Sequence, residues 1–125
     1  MKRDWLGALA CASAAAAISA GAFGAHVASG SAVELLKTGA SYQLVHAVAV
    51  FIAGRHYPAP SRLLLAGSAI FSFSLYALAL GGPRWLGAVA PLGGSAMIIG
   101  WLWMAYRVSA SRKLATSSSD IDLST

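Results

Sequence analysis

The sequence predicts an all-α integral membrane protein: a four-helix bundle, N-in/C-in, with a short interfacial helix ahead of the second span. Three observations predict it. The 125 residues are 58% hydrophobic and only 10% charged, with a mean hydropathy of +0.67. A soluble domain carries about 25% charged residues, so this chain has too few charges to coat a water-facing surface, and acyl chains must take the place of water. The apolar residues also fall into four runs. Finally, the basic residues are scattered at the edges of those runs and are unequally divided between the two sides.

The first span is expected over residues 5–25. It is uncharged, and at about 1.5 Å per residue it reaches about 30 Å, the thickness of a bilayer core. Ala10, Ala14, Ala17 and Gly21 fall near one helical face, and Gly21 pairs with Ala25 at small-xxx-small spacing. Such a face lets backbones approach closely, either inside the bundle or against a second copy. Lys2-Arg3 and Ala20-Gly21-Ala22 could instead belong to a secretory signal, but the uncharged run is longer than the usual 7–15-residue signal core. Cys11 is the single cysteine and reads as a small apolar filler. Ala8 stands where a lipoprotein box wants leucine.

The interfacial helix is expected over 31–38. Ser31 and Glu34 have capping-box spacing, and Gly39 could hinge this segment into the second span, 40–54. That span is short and polar, with Ser41, Tyr42, Gln43 and His46. Charge counting decides that it crosses. With four spans and the N-terminus inside, Lys2, Arg3, Arg55, Arg62, Arg107, Arg112 and Lys113 lie inside, and only Lys37 and Arg84 lie outside. The positive-inside rule asks for that imbalance, and removing the second span reverses it.

Gly54 can stop the second span before an inner loop with Pro58 and Pro60. The third span covers 63–80, and Gly81-Gly82-Pro83 supplies a tight outer turn. The fourth covers 85–106, with Pro91 and the Gly93-Gly94 pair in its outer half. Those residues read as a kink or close helix contact, or as a broken-helix site of the kind some transporters use. Residues 1–108 thus form the membrane domain. The serine-rich stretch 109–125 reads as a disordered polar tail on the inner side.

Few residues could carry chemistry. His46 lies nine residues before Arg55, about 13 Å from the inner boundary. An imidazolium at that depth is costly, so a neutral ring bonded to another helix is expected, with Ser68, Ser72 and Tyr76 as candidate partners. The sharper reading places His46, Tyr42 and Gln43 on a proton or substrate path. His26 stands where the first span meets the outer surface, near Glu34 and Lys37 across the loop, and His56 reads as solvated. Haem would need two axial ligands at similar depth, and His26 and His46 are offset. No Cys, His and carboxylate cluster has metal-ligand spacing. Three of the four acids, Asp4, Asp120 and Asp122, are in terminal segments, which speaks against a carboxylate-dependent enzyme. The charge of +5 is scattered rather than striped, so nucleic acid is not an expected partner.

Four stretches together carry a resemblance: GAFGAH at 21–26, TGASYQLVHAVAV at 38–50, SLYALAL at 74–80 and LGAVAPLGGSAMIIGW at 86–101. They are similar to the YgdD-like family, small bacterial inner-membrane proteins of unknown function with eukaryotic relatives. The resemblance covers nearly all of the chain outside the first few residues and the polar tail. It implies a four-helix integral membrane protein that keeps its first helix, in the inner membrane. The family has no established catalytic residues. Its motif positions here include Gly24, His26, Gly39, Tyr42, Gln43, His46, Pro91 and Gly94.

The expected role is a non-enzymatic structural or accessory module without metal or cofactor, partnered by the lipid bilayer and by a second copy or another membrane protein. The alternatives are a small transporter or channel component using the Tyr42, Gln43 and His46 path, and a haem-binding membrane protein.

Overall fold

The computed structural model describes residues 3–124. Lys2, counted with the basic inner residues, and Thr125, the last residue of the expected tail, lie outside that range. Four helices follow in order: α1 (Trp5–His26), α2 (Ser31–Ala53), α3 (Pro58–Ala79) and α4 (Leu86–Leu123). All four are long and apolar enough to cross a membrane. Joined by short turns, they run alternately up and down, so both ends of the chain emerge from the same end of the bundle. Each helix packs on the next in sequence, and α1 also touches α3 lightly.

Each start and stop has a local cause. Asp4 caps α1: its Oδ1 accepts from the amide of Gly7 at 2.8 Å. Its Oδ2 meets Arg55 Nε at 3.0 Å and so clasps the start of α1 to the end of α2. Gly54 is the C-cap of α2. Pro58 and Pro60 belong to the first turn of α3 rather than to a loop. Proline fits there because the first amides of a helix have no intrahelical acceptor. At the other end of α3, Gly81 adopts φ +88, and the amide of Gly82 reaches back to the carbonyl of Ala77 at 2.8 Å. That is the left-handed glycine cap that ends many helices.

Three sequence expectations are corrected. No separate interfacial helix precedes the second span: residues 31–38 are the first two turns of a continuous α2. Gly39 is not a hinge but a buried contact, where an added Cβ would stand 2.6 Å from Tyr76 Cε1. The capping box does not form either. Gly30 at φ +62 is the N-cap, and no side chain caps the helix, so Ser31 is already inside it.

The second correction concerns Pro91, which does not break α4. It sits six residues into the helix, the helix runs through it, and the proline forfeits only the bond back to Gly87. The third concerns the tail. Residues 109–123 continue α4 as helix instead of being disordered. A helix already nucleated in the bundle gains about one hydrogen bond for each residue added, and Arg112, Lys113, Leu114 and Ala115 are acceptable helix formers.

Burial follows three- and four-residue spacings. On α2 the buried residues are Leu36, Gly39, Ala40, Gln43, His46, Ala47 and Val50. On α4 they are Ala90, Gly93, Met97, Gly100 and Met104. At the basic end, Ala10, Val50, Leu64 and Met104 close the core with one residue from each helix. The outside is apolar as well: Ile52, Leu80, Leu92 and Leu102 are all at least 67% exposed. Lipid is as apolar as leucine, so hydrophobic transfer does little to hold these helices together, and close packing and interhelical hydrogen bonds must do so.

The α3–α4 seam shows the close packing. A Cβ on Gly93 would meet Phe71 N at 2.5 Å and Gly67 O at 2.6 Å, while one on Gly67 would meet Gly93 O at 3.0 Å. Backbone lies against backbone at this crossing. Gly21 and Gly24 of α1 face α2 in a similar but looser way: a Cβ added to them would stand 3.6 Å from Ala40 Cβ and 3.1 Å from Leu36 Cβ.

Candidate functional site

The polar side chains that the sequence marks inside the membrane are mostly gathered on the buried stripe of α2. Gly39, Gln43 and His46 follow at +4 and +3, one helical face. Each is tied to a different part of the bundle.

Gln43 is 1% exposed and bridges α1 to α3. Its Nε2 donates to Ser13 Oγ at 3.1 Å, and its Oε1 accepts from the Tyr76 hydroxyl at 2.7 Å. One turn earlier, the Gly39 carbonyl accepts from Ser72 Oγ at 2.8 Å. The absence of a side chain on Gly39 lets Tyr76 lie close enough to reach Gln43.

His46 is 6% exposed. Its partners fix its tautomer. Nε2 lies 3.0 Å from Trp101 Nε1 on α4, and an indole N–H only donates, so Nε2 accepts. Nδ1 lies 2.7 Å from the Tyr42 carbonyl, which only accepts, so Nδ1 carries the hydrogen. The ring is therefore neutral with both nitrogens satisfied, as a buried polar group should be. A doubly protonated ring would set two donors against each other at Trp101. The expected interhelical bond exists, but it goes to α4; Ser68, Ser72 and Tyr76 are not its partners. Ser68 Oγ donates to Leu65 O within its own helix.

Tyr42 and His26 do not join this seam. Tyr42 is 48% exposed; its ring lies parallel to that of His46 at 6.3 Å and against Phe71 at 4.8 Å. His26 is exposed at the end of α1. Gly24 lies beside Leu36, so His26, two residues beyond Gly24, and His46, ten beyond Leu36, are separated by about 18 Å of helix rise along the bundle. Among the described residues, no three His, Cys, Asp or Glu side chains gather as a metal centre requires. Nor does any hydrogen bond connect the Gln43 set to the His46 pair. Pro91 is exposed. Of the neighbouring glycines, Gly93 makes the close contact, whereas a Cβ on Gly94 would meet only Phe71 Cδ2, at 3.9 Å.

Sequence reasoning missed Ser13, Trp101 and Asp4. For Trp101 a signal existed: a donor-only side chain inside an apolar run must find an acceptor, and His46 offers one. Asp4, the residue just before the first apolar run, is an ordinary N-cap signal. Ser13 carries no comparable mark, because serines inside helices usually bond backward to their own carbonyls, as Ser19, Ser41 and Ser74 do here.

A protein-family profile described as "Protein of unknown function (DUF423)" matches residues 20–94. The chain belongs to this family. Gly39, Gln43, His46, Ser72 and Tyr76 lie within the matched residues of the DUF423 profile, whereas Ser13 and Trp101 lie outside them. Relatives of similar length confirm the membership. The UPF0382 inner membrane protein YgdD of Escherichia coli is 37% identical over 99 residues, which cover 70% of this chain and 76% of YgdD. The UPF0382 membrane protein YwdK of Bacillus subtilis is 34% identical over 99 residues, covering 69% and 80%. A UPF0382 membrane protein of Haemophilus influenzae is 31% identical over 108 residues, covering 78% and 87%. No solved structure matches the chain. Together with the four apolar helices, these likenesses identify a small multi-pass inner-membrane protein of a DUF423 family whose biochemical role is unknown.

Proposed function

We propose that this protein is a structural or accessory module of the membrane, acting through packing rather than through chemistry on a bound substrate. One observation carries the reading: the polar side chains buried on α2 are spent on helix-to-helix bonds. Gln43 holds α1 and α3, and His46 holds α4. Intramembrane ionisable groups are functional suspects by default, but here the suspect ring is neutral and both its nitrogens are engaged. Among the described residues, no charged side chain is buried in the core. A relay or substrate path through Tyr42, Gln43 and His46 would first have to break bonds that hold the bundle together.

Such a module acts beside another protein or a second copy of itself. Crosslinking in native membranes, followed by identification of the crosslinked species, tests this. A reproducible partner or homo-oligomer is the expected result. A monomer without crosslinks, combined with proton or solute flux in proteoliposomes that His46→Ala abolishes, would replace this reading with a transport role.

A further inference from the structure

An apolar groove of about 480 Å³ runs between α1 and α3, with Gln43 of α2 among its lining residues. It exists because α1 touches α3 only lightly while both pack on α2, and because the facing positions are small: Ala12 and Ala16 on one wall, Ala66 and Ala69 on the other. Arg62 lines one end and Phe73 the other. The eleven residue steps from Arg62 to Phe73 correspond to about 16 Å of helix rise, close to the half-thickness of a bilayer core, about 15 Å. Arg62 is exposed. Among the described residues it forms no salt bridge, whereas Arg55 at the same end is already paired with Asp4.

We propose that this groove holds one acyl chain of an anionic glycerophospholipid whose phosphate sits on Arg62. The groove has the length of one leaflet's chain, walls that offer it no polar group to desolvate except at Gln43 and Ser13, and a free guanidinium at the depth of the headgroup. A guanidinium is suited to this because its planar fork can grip two phosphate oxygens at once. The Gln43 amide is bonded to Ser13 and Tyr76, so it does not oppose an apolar occupant.

The test is native mass spectrometry of the full chain in mild detergent, titrated separately with phosphatidylglycerol and with phosphatidylcholine. One retained phosphatidylglycerol per chain is expected, held about fivefold more tightly than phosphatidylcholine, the contribution of a single basic residue at an anionic headgroup. Arg62→Gln should reduce phosphatidylglycerol to the phosphatidylcholine level, and Arg62→Lys should keep much of the preference. Arg84→Gln, at the opposite end of the bundle, should change nothing. Ala66→Leu, which fills the groove, should release both lipids; if that variant does not fold, the Arg62→Gln comparison decides alone. Equal retention of the two lipids by the unaltered protein, or a preference that survives Arg62→Gln, would overturn the proposal. So would efficient disulfide crosslinking of Ala66→Cys between two copies in native membranes, because the groove would then hold protein.

Discussion

The Tyr76 hydroxyl donates to Gln43 Oε1 at 2.7 Å, joining α3 to α2 near the middle of the bundle. The same amide reaches Ser13 on α1, so one side chain ties three helices. In a membrane such a bond adds stability of about 0.6 kcal/mol on average and up to about 1.7 kcal/mol. Tyr76→Phe removes the bond and little volume, and Gln43→Leu removes both bonds from the amide. A double-mutant cycle of these changes, read by unfolding in mixed micelles, should give a coupling of about 0.6–1.7 kcal/mol. Strict additivity would mean that the bond contributes nothing.

The Gly93-Gly94 pair separates packing from helix propensity. A Cβ at position 93 would stand 2.5 Å from the backbone nitrogen of Phe71, which cannot swing aside, whereas one at position 94 meets only a ring edge at 3.9 Å. Gly93→Ala should therefore destabilise the protein by about 1–3 kcal/mol, the usual range for overpacking. Gly94→Ala should be neutral or slightly stabilising. Thermal unfolding of the two variants in one detergent makes the comparison, and equal effects would contradict the close α3–α4 crossing.

Acid should loosen the start of α1. The Gly7 amide first, and then Arg55, hold the Asp4 carboxyl below the ordinary aspartate value. A depressed carboxylate stabilises the fold above its unfolded value of about 3.9, and that contribution is lost as pH falls through the lower folded value. The stability difference between the protein and Asp4→Asn should accordingly be constant above about pH 5 and shrink below it. Hydrogen exchange at the Gly7 amide follows this directly. A difference that does not vary between pH 7 and pH 3 would remove Asp4 from the capping role.

Both chain ends should lie in the cytoplasm. The end of the bundle that carries them also carries Arg3, Arg55, Arg62, Arg107, Arg112 and Lys113, against Lys37 and Arg84 at the other. Reporter fusions after residue 124 and ahead of residue 3 should both report the cytoplasmic side. Signals from opposite faces would require an odd number of crossings.

How much of this was legible in the sequence differs from element to element. The number of spans and the starts of α1 and α4 could be read from apolar runs and charge, because lipid permits little else. The end of α2 at Gly54 was legible too, but its start was not. Ser31 and Glu34 have the residue types of a capping box, but the turn is made by Gly30, whose positive φ only a glycine accepts cheaply. Gly39 has the composition of a hinge and the geometry of a contact, a difference that depends on Tyr76, more than thirty residues away in the chain. The serine-rich end of α4 reads as disordered because composition describes an isolated segment, whereas this one extends an existing helix. The stripe of Gly39, Gln43 and His46 was visible as polar residues at helical spacing, but their partners on α1, α3 and α4 depend on tertiary arrangement. Trp101 illustrates this most plainly: its indole needs an acceptor, and the sequence alone does not say which.

His46 is a neutral, fully bonded lock between α2 and α4. Nitrogen-15 NMR of the imidazole in lipid bilayers at neutral pH tests it most directly. A single species protonated at Nδ1 is expected, with an Nε2 resonance that shifts when Trp101 is replaced by Phe. An Nε2-protonated or doubly protonated ring, or an Nε2 signal indifferent to Trp101→Phe, would contradict it.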